Sequence, residues 1–438
     1  MSLSTILSLL GNLTRKTVLL DGFSAPGFPM LGLCLLWFLS CGSLLVSVDA
    51  VLCFEVHQPH RLRRQSLRQD ADSLRSKYFD SSLDREIFLD VSRNCYGPVF
   101  DRLAQLCTDY PDFSVNLSVS TSWLDQARRY RPDLIDRLHA IPGGSVEFIG
   151  QAHRHSLAGL LEDKTEFKRQ LRVHRDAVRS EFGAETSVGT NTELLYNDSI
   201  GKAFQDEGFD AVLTEGAPRA LTGGVNHVAE GAAGIKVLPR NRRLTDDVGY
   251  RFSNEDWTEH PLLASQYASW LSSADGDLVT LFMDIETFGE HHWRGTGVLD
   301  FLDVLPEEAG NRNVEFITVS DAVSRHPASS GFRAGDMDTV SWADSDMDAS
   351  AWVGNEMQRE VFDRLEGLRQ PVLDSGSEEL LSVWEKLLTS DHLHHMSTKG
   401  SEDGGVHEYF SYFRSPFEAY SAMSEILDHF EQELEAQT

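Results

Sequence analysis

Leu278 to Trp293 reads LVTLFMDIETFGEHHW. Leu278, Val279, Leu281, Phe282 and Met283 make an apolar run of the length of a buried strand. Where the run stops, the chain presents Asp284, Glu286, Glu290, His291, His292 and Trp293. Sheets of the α/β class bind ligands beyond the carboxyl ends of their strands. A buried strand opening into carboxylates, imidazoles and an indole therefore predicts an active-site rim. The competing reading is a strand followed by a solvated acidic loop, because ion-pair networks gather the same residue types.

The rest of the chain repeats the layout four times. Val51–Phe54 leads into Glu55, His57, Gln58, Pro59 and His60. Val146–Ile149 leads into Gln151, His153 and His155, and Phe316–Val319 into Ser320 and Asp321. Thr190 to Asn197, carrying Glu193, precedes a helical pattern. A single histidine at a strand end is most often a structural hydrogen-bonding residue. Five such ends in one barrel-like alternation converge on one mouth.

That alternation runs from Asp49 to about Val323. Strand candidates are Ala50–Val56, Phe113–Val119, Val146–Ile149, Ala211–Thr214, Val237–Leu238, Leu278–Met283 and Phe316–Thr318. Amphipathic stretches lie between them: Phe100–Cys107, Lys164–Phe182, Ser199–Glu207 and Leu262–Leu271. Strands alternating with helices predict βαβ units and a parallel sheet or barrel. After Ser324 the pattern changes to helices at Ala349–Leu368, Glu378–Thr389 and Pro416–Leu434, with no clear strand.

The 438 residues suffice for a large core and more than one domain. Acidic residues number 68 against 39 basic ones, a net charge of −29. Such a surface repels nucleic acid and anionic membranes. Lysine occurs only at positions 16, 77, 164, 168, 202, 236, 386 and 399. Acid excess with little lysine resembles proteins of salt-loving organisms, where self-repulsion is screened within roughly 3 Å at 1 M salt. Cys34, Cys41, Cys53, Cys95 and Cys107 lack metal-site spacing and suggest a reducing compartment.

Residues 1–48 contain one acid, Asp21. Met30 to Val48 is apolar enough for a membrane span or a signal core, with Arg15 and Lys16 as a basic flank. Strand-like sequence follows at once, without a linker or a good cleavage site. The segment reads as an anchor or signal, as a structural extension, or as translation from a start placed too far upstream. The abrupt compositional change favours the last, and with it a cytoplasmic location. Anchoring or export through residues 30–48 is the alternative.

A mouth of carboxylates, imidazoles and indoles suits sugars. Flat rings cover the apolar faces of pyranoses, and the polar groups bond their hydroxyls. Cleaving a glycosidic bond takes two carboxyl groups, one protonated and one ionised. Glu193, Asp284, Glu286, Glu55 and Glu290 are candidates, and spacing does not choose between them.

His57-Gln58-Pro59, the segment Gly150–Leu157, Asn191-Thr192-Glu193-Leu194 and Met283 through His291 resemble, in order, signature regions of glycoside hydrolase family 57. Phe316–Ser320 resembles the fifth. Leu244–Phe252, Ser341–Asp344 with Ala351-Trp352, Ser390–Lys399, Val406-His407 and Ser415-Pro416 add likeness to its α-amylase branch. The resemblance runs from about Asp49 to Tyr420. It implies an incomplete seven-stranded (β/α) barrel over residues 49–325. A helical domain over 326–438 would help wall the cleft, and the apolar extension over 1–48 has no counterpart in the family.

It also implies an α-1,4-glucan or maltooligosaccharide substrate, with Glu193 as nucleophile and Asp284 as acid/base. Retention follows, with the carboxyls about 5–5.5 Å apart. His57, His155, Glu286, His291, Trp293, Trp352, Asp391 and His392 are implied substrate contacts, and Trp257 and Trp342 weaker ones. No metal and no cofactor is implied. Three departures bear on the cleft: Thr190 where arginine is usual, Gln151–Arg154 in place of a stretch richer in glutamate or glycine and tyrosine, and His394-His395 where tyrosines are common.

Three rivals stand beside an α-amylase-type hydrolase. A 4-α-glucanotransferase or branching enzyme would use the same carboxylates with a sugar hydroxyl as acceptor. A metal-dependent deacetylase would use His57, His153, His155, His291 and His292 as ligands. A silent homologue would bind glycan without cleaving it. Oligomeric state is not legible in the sequence.

Overall fold

A computed structural model describes residues 47–64, 72–399 and 411–437. The apolar run of Met30–Val46 and the Val406-His407 match lie outside these residues. No described helix is long and apolar enough to cross a membrane.

The first strand, β1 (Val48–Val56), is buried along its whole length. Strands covered on both faces read as near-continuous apolar runs, and VDAVLCFEV fits that rule until Glu55. Val48 thus belongs to the barrel and not to the extension. β1 pairs in parallel with β8 (Leu278–Asp284) from Asp49–Leu278 to Glu55–Asp284. Along its other edge it takes β9 (Val314–Ile317) over Val48–Val51 and β2 (Val115–Val119) over Cys53–Val56. β9 is therefore a wedge at the bottom of the barrel between β1 and β2.

From β2 the ring continues through β3 (Val146–Phe148), β4 (Val188–Thr190), β5 (Ala211–Glu215) and β7 (Lys236–Arg240) back to β8. Seven parallel strands thus form an incomplete (β/α) barrel. Two seams are thin. β3 meets β4 only through the Gly150–Gly189 bridge, and β7 meets β8 only through Arg240–Thr280. The glycines are required there: a Cβ on Gly150 would lie 2.6 Å from the Phe209 ring, and one on Gly189 2.4 Å from Phe204. The two-residue β6 (Ala229–Glu230) runs antiparallel to β7, and β10 (Ser330–Gly331) joins β6. β10 corrects the expectation of no strand beyond residue 325, and β4 is a strand absent from the expected set.

Beyond the barrel, helices Glu356–Ser375, Glu378–Leu387 and Pro416–Gln437 share a core of Leu365, Trp384, Leu388, Met423 and Phe430. Asn355 and Gln358 form a capping box at the first helix, and Gly376 in the left-handed region ends it. This region sends Trp342 and Ser390 to the open end of the barrel.

Candidate active site

Strand parity builds the site. In β8, Leu278 and Phe282 pack inside the barrel, while Val279, Leu281 and Met283 pack outward against helices. Side chains alternate with period two, so Asp284 continues the inner row past the end of the core. β1 does the same with Val51, Cys53 and then Glu55. The register sets Glu55 beside Asp284. The inner rows of β5 and β7 end on Glu215 and Arg240, following Leu213 and Leu238.

Glu193 arrives by a turn. It and Leu194 have φ of 58° and 52°, a left-handed conformation that costs a non-glycine residue about 1–3 kcal/mol. The surroundings fix it: Ser341 Oγ donates to Glu193 O at 2.9 Å, and Thr214 Oγ1 to Leu194 O at 2.9 Å. Arg154 and His155 make a second left-handed turn, φ 65° and 54°, after β3. Two strained turns thus aim a carboxylate and an imidazole at one place.

The Glu193 carboxylate is held on three sides. Trp342 Nε1 donates to Oε2 at 2.8 Å and Ser390 Oγ to Oε1 at 3.0 Å. His155 Nε2 stands 3.6 Å from Oε1. Burial works against its charge, but the His155 cation beside it holds its carboxyl below the usual range. Asp284 goes the other way. Burial first, then the negative charges of Glu193 and Glu55, raise its carboxyl well above the ordinary range. Glu286 is raised as well, by burial and by Asp284, while Tyr96 Oη makes a short hydrogen bond to its Oε1.

Behind these groups lies an ordered polar layer. Gln151 donates through Nε2 to Glu55 Oε1 at 2.9 Å and to Ser118 Oγ at 2.8 Å. Its Oε1 therefore accepts from His155 Nδ1, 2.9 Å away. Burial depresses His155, but Glu55 and then Glu193 outweigh it and push its pKa up to about 9. The Asp391 carboxylate can only accept, so His57 donates Nε2–H to its Oδ2 at 3.1 Å. On the neutral ring Nδ1 then accepts from the Ser120 hydroxyl at 2.7 Å, whose oxygen also accepts from Trp123 N.

The cleft encloses about 740 Å³. Of the expected residues it brings together Glu193, Asp284, His57, His155, Glu286, His291, Trp352 and Asp391. Trp293 is not among the lining residues and is 66 % exposed. His392 is fully buried against the Phe79 ring and does not line the cleft either. Trp257 packs against Trp270 beside the core. His292 ties two rim loops together, with Nδ1 meeting Ser253 Oγ at 2.7 Å and Nε2 meeting Val248 O at 2.9 Å.

Ser120, Ser390, Tyr96 and Arg240 were not singled out from sequence, whereas Gln151 was, at the end of the Val146–Ile149 run. Ser390 had a signal, since it opens the matched segment ending in Asp391 and Lys399. Trp342, a weaker candidate, bonds the Glu193 carboxylate directly. Among the described residues no group of three His, Cys, Asp or Glu side chains converges as a metal site requires. His153 meets Thr121 Oγ1 at 2.9 Å and Glu385 at 3.5 Å, outside the cleft.

Comparison with known proteins agrees with this fold. A Methanocaldococcus jannaschii protein provisionally assigned as an α-amylase is 39% identical over 389 residues, 86% of this chain and 83% of that one. The branching enzyme of Thermococcus kodakaraensis has the same fold, with a TM-score of 0.64 at 13% identity over 88% of this chain and 90% of that one. The α-amylase of Thermotoga maritima superposes with a TM-score of 0.55 at 11% identity, covering 90% and 94%. The sequence profile of glycosyl hydrolase family 57 matches residues 51–332. With the barrel, its mouth and this match in hand, the chain belongs to glycosyl hydrolase family 57 and is a glycoside hydrolase.

Proposed function

We propose that the chain hydrolyses α-1,4-glucan with retention, as an α-amylase-type enzyme. One observation carries the reading: two carboxyl groups at one mouth are driven in opposite directions. Glu193 is held toward the ionised form by a cation and two neutral donors, and Asp284 is pushed up to about 7 by burial and its anionic neighbours. Such a pair divides into nucleophile and acid.

Glu193 attacks the anomeric carbon while Asp284 protonates the departing glycosidic oxygen. The aglycone leaves and a glycosyl ester on Glu193 remains. Asp284, now a carboxylate, takes a proton from water, which opens the ester and restores both groups. Two inversions retain the α configuration. His57, His155, Glu286, His291, Trp352 and Asp391 bond or cover the sugar rings along the cleft. Support for the substrate comes from the Methanocaldococcus jannaschii relative. The acid excess adds that the enzyme works in concentrated salt.

The decisive assay follows maltooligosaccharide cleavage by NMR of the anomeric protons, in low and high salt. Wild type should release α-anomers first. Glu193→Gln and Asp284→Asn should each lose at least about 10³-fold in kcat. Unchanged turnover in both variants would remove the assignment.

Transglycosylation is the second reading, favoured by the segment Trp342–Asp346, which lines the cleft beside Glu193 where an acceptor sugar would sit. Products longer than the substrate would identify it.

A further inference from the structure

We propose that Arg240 is a positioning residue that sets the placement of Glu193 relative to Asp284 across the β7–β8 seam. The inference rests on the reading of those two carboxyls as the reacting pair.

The seam is where the ring is weakest. β1 and β8 are paired over seven residues, whereas β7 and β8 share the single pair Arg240–Thr280, with Asn241 N donating to Thr280 O at 2.7 Å. Nothing in that ladder holds the upper end of β8, where Asp284 sits. The Arg240 side chain supplies the missing link. Its Nε donates to Phe282 O at 2.8 Å, the carbonyl two residues before Asp284.

The same guanidinium reaches the other carboxyl through Trp342. Its central carbon lies 5.7 Å from the Trp342 ring centroid, and Phe282 meets that ring edge-on at 5.5 Å. The Trp342 Nε1–H is the donor to Glu193 Oε2. One rigid fork therefore touches the backbone that carries Asp284 and the ring that holds Glu193. Its remaining arms are anchored: Nη1 to Glu215 Oε2 at 2.9 Å and Nη2 to Asp246 Oδ1 at 2.5 Å. Glu215 is fully buried and its Oε1 has no hydrogen-bond partner, so this carboxylate depends on Arg240. A lysine carries the charge but cannot span three fixed acceptors and a ring face.

The charge acts as well. Asp284 is faced by Glu193 and Glu55, which raise it, by His155 and Arg240, which lower it, and by Glu286, whose own carboxyl it raises. Removing Arg240 would let Asp284 keep its proton to higher pH.

Two variants separate position from charge. Arg240→Lys keeps the cation and loses the fork. Arg240→Met with Glu215→Gln removes the cation together with the buried partner it would strand. Both are assayed on maltooligosaccharide, with near-ultraviolet circular dichroism to certify folding. Wild type comes first: if it cleaves nothing, the functional reading falls, and this inference with it. With wild type active, kcat should drop about 10²-fold in both, as misplacement by an ångström does. KM should stay within about threefold. The alkaline limb of kcat/KM should move up only in the double variant. Folded variants with near wild-type kcat, a loss confined to KM, equal limbs in both variants, or failure of both to fold would each overturn the proposal.

Discussion

The imidazoles of His57 and His155 stack with centroids 4.2 Å apart and 25° between their planes, yet they carry different charge. Burial, then the neighbouring His155 cation, pushes His57 down to about 4 against the pull of Asp391. His155 sits between Glu55 and Glu193 and is pushed up to about 9. At neutral pH a neutral ring therefore covers a charged one. Two cations at that spacing would repel strongly in a buried site. Asp391 and Gln151 assign the protons: the carboxylate accepts from His57 Nε2, the amide oxygen from His155 Nδ1.

His155→Gln should shift the acid limb of activity. In the proposed mechanism Glu193 must be ionised to attack, and the His155 cation is the chief reason its carboxyl lies below the usual range. Losing the cation raises that pKa, so the acid limb of kcat/KM moves to higher pH. The fall at the optimum should be about 10- to 10²-fold, in the range of one positioned charged donor. A pH–rate profile of the folded variant checks this, and an unmoved limb contradicts it.

Glu193→Gln should change Asp284 without touching it. The Glu193 charge is the largest influence on Asp284 after burial, and it raises the Asp284 pKa. A neutral amide removes that repulsion, so Asp284 should titrate at lower pH in the variant. Carboxyl-carbon NMR reads this directly, with Asp284→Asn identifying the resonance. An Asp284 resonance titrating at the same or higher pH would break the proposed electrostatic coupling between the two groups.

The barrel was legible in the sequence because its strands are apolar on both faces and end abruptly in polar residues. Val51 to His57 and Leu278 to Glu286 show this directly, and parity then gives the inner row. β4 escaped because three residues around Gly189 carry little pattern. Trp293 lies outside the cleft lining for a physical reason: sequence adjacency to His291 says nothing about which side of a rim loop a side chain leaves. Trp342, Ser390 and Arg240 act through contacts spanning tens to hundreds of residues, for which periodicity has no signal. Thr190 stands where the family resemblance calls for arginine. It is buried, with its hydroxyl donating to Leu213 O at 3.3 Å.

Lys399→Met should make activity depend on salt. The Lys399 ammonium lies 2.8 Å from Asp344, 2.7 Å from Asp346 and 3.9 Å from Asp348, all on the segment that follows Trp342. Without it, three carboxylates share one loop at the cleft wall. Their repulsion should loosen Trp342 and lower kcat/KM about threefold to tenfold in dilute buffer. At 1 M salt the screening length falls to about 3 Å and most of the loss should return. A titration of sodium chloride against kcat/KM checks this, and a deficit that does not change with salt contradicts it.

Gly289→Ala should damage the Asp284 loop, and Gly367→Ala should not. Gly289 has φ of +117°, and a Cβ there would stand 2.2 Å from Asn94 O. Asn94 belongs to the π-helix Ser92–Tyr96, whose Tyr96 bonds Glu286. The substitution must distort the backbone or push that helix away, costing about 1–3 kcal/mol for the strained conformation alone. Gly367 lies exposed within the helix Glu356–Ser375 with nothing within 4 Å of a Cβ. Alanine there should stabilise by about 0.5–1 kcal/mol through helix propensity. Thermal unfolding should therefore move in opposite directions for the two variants. Activity at a temperature where both are folded should fall only for Gly289→Ala, because only there does the new methyl group press on the wall that holds Glu286 next to Asp284.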